Sequence, residues 1–131
     1  MLPNVDFDSA SAVSEFVRNK YSYIYAGADD SWLKRVFRDI ESAFVGGTPA
    51  YGPIDLKYHN LRHTLMATVC MAEILEGYQN AEGNLKARDF ELAIAAVLLH
   101  DAGYLKLKTD TAGTGAKYTY CHILRSCAFA A

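Results

Sequence analysis

The apolar residues between positions 31 and 47 recur at helical spacing, and this spacing constrains the fold more than any other feature. They lie three and four positions apart and form one stripe (Trp32, Leu33, Val36, Phe37, Ile40 and Phe44). The pair Gly46-Gly47 is expected to end this helix. No segment alternates apolar and polar residues between hairpin turns, as a half-buried strand would. The sequence therefore predicts an all-α domain.

Further segments share the helical pattern. We expect a first helix from Ser9 or Ser11 to Tyr21 and a fourth from about Arg88 to His100. The fourth is apolar almost all round, which predicts a central position in the bundle. A third helix, over about 58–78, carries two apolar stripes, and the second includes two histidines (His59, His63, Met66, Cys70 and Ile74). Both of its faces are therefore expected to be covered.

Length and charge exclude several classes of protein. The 131 residues suit one domain, 1–131, and a net charge of −2 argues against a binder of nucleic acid backbones or membrane surfaces. The longest apolar run, 92–99, is shorter than the roughly 20 residues of a membrane span. The acidic N-terminus lacks the order of a signal peptide, so we expect a cytoplasmic protein with a small-molecule substrate. The three cysteines show no CxxC spacing and are expected to be buried hydrophobes (Cys70, Cys121 and Cys127).

Three of the four histidines fall in two short segments, Y-H-N-L-R-H at 58–63 and L-L-H-D-A-G-Y at 98–104. Asp101 follows a buried helix, where the negative end of the helix dipole and the low dielectric both disfavour its charge. A divalent metal bound by Asp101, His100 and His63 would compensate. Nitrogen and oxygen donors suit Fe, Mn, Zn or Co, with Mg at a second, oxygen-rich position. The alternative is an ordinary buried histidine bonded to a backbone carbonyl.

The two segments together resemble the HD-domain metal-dependent phosphohydrolases. The form Y-H-N-x-x-H is similar to the helix of the cyclic-nucleotide phosphodiesterase branch, and the resemblance covers 58 to about 131. It implies an HD-like helical bundle with N-terminal helices over about 9–47 and a metal-binding core over about 58–131. It also implies that His63, His100 and Asp101 bind metal, that Asp101 bridges to a second ion, and that His59 protonates the leaving oxygen. The alternative for His59 is a histidine at the helix start that bonds to the backbone of a loop.

The sequence departs from the family after the H-D pair. Members add an Asp from a later helix, whereas only Asp110 follows Asp101, in a Gly- and Thr-rich loop that does not suit this role. Residues 118–131 are expected to form a helix without a stop signal, which predicts a bundle incomplete at its C-terminal end. Core surface exposed in this way would favour association, for example as a homodimer.

Four more residues are candidates for the site. His122 is a candidate second-metal ligand or an ordinary histidine, and Arg125 either grips a phosphate or is a solvated helix residue. Asn60 either fixes the local turn or orients a ligand, and Lys106 would add positive potential near the metal. The stretch A-G-T-G-A-K at 112–117 lacks the Walker spacing and is expected to be a mobile linker or lid.

The resemblance implies a metal-dependent hydrolase of a phosphomonoester or phosphodiester, in particular a nucleotide. Metal-activated water would attack the phosphorus while His59 assists the leaving group. Two alternatives remain open at this point. One is a di-iron oxygenase of the same superfamily, with His122 among its ligands. The other is a non-catalytic ligand-binding module with an incomplete metal site.

Overall fold

A computed structural model describes residues 1–131. The chain forms five α-helices: α1 (Ala10–Ile24), α2 (Ser31–Phe44), α3 (Leu61–Glu82), α4 (Ala87–Leu99) and α5 (His122–Ala130). Short 3₁₀ turns occupy Ala102–Tyr104 and Gly115–Tyr118, and the only β pairing is an isolated bridge between Tyr51 and Leu107. The all-α prediction is confirmed. None of the helices combines the length and the apolar character that crossing a membrane requires.

Side-chain caps set where the helices begin. The Ser9 hydroxyl accepts a hydrogen bond from the Ala12 N–H at 3.1 Å, and α1 starts at the next residue. The Asn60 side chain accepts one from the His63 N–H at 2.9 Å, so α3 starts at Leu61 instead of 58. His59 therefore precedes α3, and the prediction that His59 and His63 share one helix face was wrong.

Helices α1 to α4 pack around one apolar core. α1 contacts α2 and α3, while α4 contacts α2 and α3 from the other side. The largest side chains of this core are fully buried (Leu33, Ile40, Phe44, Leu65, Phe90, Ile94, Leu98 and Leu105). The stripe predicted on α2 supplies several of them. The end of α4, with His100 and Asp101, is thereby brought beside the start of α3.

Other faces of α3 and α4 are open to solvent. Ile74 on α3 is 65% exposed and Leu92 on α4 is 48% exposed. The prediction that both faces of α3 are covered was therefore wrong. α4 packs against α2, α3 and α5, as its predicted central position requires, but one of its faces is open. All three cysteines are exposed as well, which contradicts the expectation that they are buried. For Cys70 the cause is the same, because the helices of the domain pack on the core side of α3 and leave its outer face free.

The last helix begins later than its sequence pattern suggests. Residues 115–118 form a 3₁₀ turn, and the Thr119 N–H bonds to the Ala116 carbonyl with the same tight spacing. α5 starts only at His122 and packs against the 3₁₀ turn Ala102–Tyr104 and against α4. Within the segment predicted to be a linker, Gly115 is buried and its N–H donates to Asp55 at 2.7 Å. The segment is thus tied to the loop before α3.

Candidate metal centre

Three histidines surround one carboxylate where α3 begins and α4 ends. His59 lies in the loop just before α3 and His63 in its first turn, while His100 and Asp101 follow α4 directly. The apolar run of α4 carries the H-D pair to this position, and the Asn60 cap bends the chain so that His59 approaches from outside the helix. The cluster therefore depends on contacts between segments distant in sequence.

The three imidazoles converge on a single oxygen. Asp101 Oδ2 lies 3.0 Å from His59 Nδ1, 3.1 Å from His100 Nε2 and 3.6 Å from His63 Nε2. The Asp101 side chain is only 2% exposed, whereas the three imidazoles are each partly exposed and form the solvent side of the cluster. One ligand atom from each of His59, His63 and Asp101 lies within 4.8 Å of the others. Small molecules can reach the imidazoles directly.

Protonation within the cluster follows from these contacts. Burial opposes the charge of Asp101, but the hydrogen bonds and charges of His100 and His59 outweigh it, so the pKa of Asp101 is lowered. The hydrogen bond with Asp101 raises the pKa of His100. Burial lowers the pKa of His63, with Asp101 acting in the opposite direction. Asp101 is therefore an anion at neutral pH, and His63 offers a neutral imidazole.

This donor set fits a divalent transition metal. Such ions take imidazole nitrogen and carboxylate oxygen as ligands, and a ligating histidine usually donates its other N–H to a carbonyl. His100 has this arrangement, because its Nδ1–H donates to the Val97 carbonyl at 2.6 Å and leaves Nε2 toward Asp101. The ligand atoms of His59, His63 and Asp101 lie close enough together to hold a metal ion, and His100 presents its Nε2 to the same carboxylate oxygen.

Comparison with known proteins places the chain in a family. A family model described as Npun_R2479-like matches residues 13–125, which is most of the chain. The chain belongs to the Npun_R2479-like family. No curated protein matches the chain, and no solved structure does. The match to the Npun_R2479-like family spans from Val13 in α1 to Arg125 in α5 and includes all four residues of the cluster.

In this Npun_R2479-like chain, His122 lies beside the cluster without joining it. Its ring stacks on Tyr104 with centroids 4.5 Å apart, and Tyr104 stacks on His59 at 4.7 Å. The His122 Nδ1–H donates to the Thr119 carbonyl at 2.7 Å. His122 thus contacts the cluster through an aromatic column. His59, predicted as a proton donor, lies close enough to His63 and Asp101 to be a ligand as well.

Three other candidates bind the protein itself. Asn60 caps α3 and donates to the Lys57 carbonyl, which fits the local-turn alternative. Arg125 donates to the Gly103 and Leu105 carbonyls, and Lys106 lies 3.6 Å from the carboxylate of Asp55. The donors of these side chains are engaged within the chain. Asp110 pairs with Lys117 at 2.6 Å and with the Tyr118 hydroxyl, outside the cluster.

Two tyrosines of the site were not among the predicted residues. Tyr58 is 68% exposed and packs edge-on against His59 and at a tilt over His63, with centroids 5.1 and 4.6 Å apart. Tyr104 is buried between His59 and His122. Both tyrosines lie in the two sequence segments that contain the clustered histidines, 58–63 and 98–104. Their positions next to candidate ligands could therefore have indicated a place in the site.

Proposed function

We propose that this protein is a metal-dependent phosphohydrolase of the HD type that acts on a phosphate ester, in particular a nucleotide. The observation that carries the proposal is the convergence of three imidazoles on the buried carboxylate oxygen of Asp101. The resemblance of the Y-H-N-x-x-H and H-D segments to that superfamily supports the choice of reaction. An anionic substrate also suits a cluster whose ligands would be mostly neutral imidazoles around a dication.

The cluster residues divide into ligands and a proton donor. His63, His100 and Asp101 would hold the metal ion. When bound, the ion supplies Lewis acidity for phosphoryl oxygens and a lowered pKa for a coordinated water molecule. Asp101 also holds His59, whose Nδ1 lies 3.0 Å from its Oδ2. That contact orients the ring.

His59 is the residue best placed to move a proton. Its Nε2 has no hydrogen-bond partner within the chain, and its side chain is partly exposed. A leaving oxygen arriving from solvent could therefore take a proton from Nε2 while Asp101 keeps Nδ1 in place. Tyr104 stacks on the ring and limits its rotation. The same residue would be a metal ligand if the centre recruits all three imidazoles.

Tyr58 supports a substrate that carries an aromatic ring. Its side chain is exposed beside His59 and His63, so an aromatic face is available at the edge of the centre. Stacking of a base on an aromatic side chain contributes roughly 1–3 kcal/mol. A nucleotide could place its base on Tyr58 and its phosphate at the imidazoles. Tyr58→Ala should then weaken binding of nucleotides more than binding of a small aliphatic phosphate, and Tyr58→Phe should not.

The proposal is tested by metal content and by hydrolysis. Metal bound by the purified protein, measured by plasma mass spectrometry, should be near-stoichiometric and should be lost in His63→Ala and Asp101→Asn. The matched control is Asp110→Asn. It removes a carboxylate that lies in the C-terminal half of the chain, as Asp101 does, but outside the cluster, so this variant should keep the metal. Metal-loaded protein should hydrolyse nucleotides or other phosphate esters. Trace metal unaffected by the substitutions would refute the centre and favour a non-catalytic module.

One observation favours a second function. Two imidazoles and one carboxylate, as in the group His59, His63 and Asp101, are also the ligands of non-haem iron oxygenases. An iron-loaded protein that consumes oxygen in the presence of an organic substrate, but releases no phosphate from esters, would support an oxygenase. Oxygen uptake should therefore be recorded beside every phosphatase assay.

A further inference from the structure

The turn that carries Asp101 is held from outside by α5. Backbone carbonyls in the last turn of a helix have no partner within the helix, and the chain after α4 leaves the helical path at Asp101. Ser126 lies on α5, is buried and bonds to this turn twice. Its hydroxyl donates to the His100 carbonyl at 2.7 Å and accepts from the Gly103 N–H at 2.8 Å. This one hydroxyl thereby connects His100, before Asp101, with Gly103, two residues after it.

Arg125 extends this hold on the turn. Its Nε donates to the Gly103 carbonyl and its Nη2 to the Leu105 carbonyl, each at 2.7 Å. The guanidinium also lies over the ring of Tyr118, 3.6 Å from the centroid, which fixes its plane. A planar fork of this kind has a defined geometry, so it orients the carbonyls as well as binding them.

The contact between α5 and the turn leaves no room for a side chain. A Cβ built on Gly103 would lie 1.9 Å from the His122 carbonyl oxygen and 2.8 Å from the Ser126 nitrogen. Only glycine permits this approach, and the approach brings the Ser126 hydroxyl within bonding distance. The backbone of α5 and the turn thus form one unit, from which the Asp101 carboxylate reaches His59 and His63.

We infer that Ser126 is a positioning residue of the candidate metal centre, assisted by Arg125. Asp101 Oδ2 reaches three imidazoles at 3.0 to 3.6 Å, so a displacement of about an ångström would break the arrangement. The bonds from Ser126 hold the backbone on both sides of Asp101. Outer partners of this kind commonly change metal affinity by roughly 10–100-fold. The functional meaning of this inference rests on the metal centre proposed above.

The test compares Ser126→Ala with Cys127→Ser, the next residue of α5, which is exposed. Titration with Co²⁺ should show about tenfold weaker binding and altered visible ligand-field bands for Ser126→Ala. Cys127→Ser should match the wild type in both. Arg125→Lys keeps the charge but cannot span both carbonyls as a planar fork, and it should weaken binding in the same direction. It also serves as the second variant if Ser126→Ala does not fold.

A measurement without metal separates this inference from the proposed function. At fixed pH, the imidazole ¹⁵N resonances of His59, His63 and His100 should shift in Ser126→Ala and stay unchanged in Cys127→Ser. If the wild type binds no Co²⁺, the metal centre fails and these resonances alone decide whether Ser126 positions the cluster. A folded Ser126→Ala with a lower melting temperature but unchanged resonances, affinity and bands would overturn the inference.

Discussion

The two ends of the bundle are held together by different interactions. α1 buries five residues, four of them in the apolar core, whereas α5 buries only Ser126, which is polar. The core end relies on apolar contacts that tolerate small shifts. The end with the cluster relies on hydrogen bonds of defined length and direction. Different parts of this small domain therefore stabilise the fold and position the candidate site.

An aromatic group shows how the core end is built. Tyr21 of α1 and Tyr25, the residue that follows α1, contact Phe90 of α4 with ring centroids 5.5 and 6.1 Å apart. The two tyrosine hydroxyls reach polar partners at the edge, since Tyr21 donates to Glu91 and Tyr25 donates to the Leu85 carbonyl. Large apolar area with satisfied polar atoms gives this end its stability.

The largest effect is expected from Phe90→Ala. Phe90 is fully buried, so its truncation should lower the free energy of unfolding by about 3–5 kcal/mol through lost burial and a cavity. Urea denaturation measures this loss. Leu92→Ala, two residues along the same helix at an exposed position, is the control and should cost less than about 1 kcal/mol. Equal losses for both variants would contradict the assignment of stability to this core.

A smaller and more local effect is expected from Gly103→Ala. The added methyl group must push α5 away from the turn, at a cost of roughly 1–3 kcal/mol. Amide hydrogen exchange should increase in α5 and the turn while α1 stays protected. Gly77→Ala is the matched control, because no atom obstructs a Cβ there and alanine favours a helix by roughly 0.5–1 kcal/mol. Uniform loss of protection in Gly103→Ala would show that the two ends unfold as one.

Part of the loss of stability at alkaline pH should come from Tyr21, at the core end of the bundle. Burial, together with the hydrogen bond to Glu91, raises the pKa of Tyr21 to about 12. An unfolded tyrosine loses its proton near pH 10, so Tyr21 contributes stability below that pH that is lost as the pH rises toward 12. A rise of two pKa units corresponds to at most about 3 kcal/mol. The stability difference between wild type and Tyr21→Phe should narrow over this window in urea titrations, and a constant difference would refute the shift.

The smallest effect on stability is expected at acid pH, from Asp110 in the C-terminal half of the chain. Bonds from Lys117 and Tyr118 lower the pKa of Asp110 to about 2. Its contribution is fully present above the unfolded pKa near 4 and is lost as the pH falls from there toward 2. Asp110→Asn should therefore lower the melting temperature slightly near pH 5 and by less near pH 3. A difference that grows at low pH would contradict this sign.

The parts of the fold that could be predicted depend on local spacing. The stripe of α2 and the H-D pair at the end of α4 both follow from apolar residues counted along one segment. The true start of α3 could have been read from Asn60, since asparagine is a favoured cap, but the apolar pattern extended past it. Exposure of Cys70 could not be predicted, because periodicity identifies an apolar face without showing which neighbour covers it.

The support of the candidate site lay beyond sequence reasoning for another reason. Ser126 and Arg125 bond to main-chain carbonyls, which are present at every position and leave no pattern in the sequence. His59 approaches Asp101 only because the chain bends before α3. The resemblance identified the histidines as a group, and the structure places them together. Which of them bind a metal remains a prediction for the experiments above.

The bonds from α5 to the turn also determine how freely this region can change its sequence. The hydrogen bonds of Ser126 and Arg125 to the turn involve only backbone atoms of residues 100, 103 and 105. These bonds place no demand on the side chains at 100 and 105, which the cluster and the apolar core constrain, whereas position 103 has no room for a side chain. We therefore expect glycine to be retained at 103 among related chains.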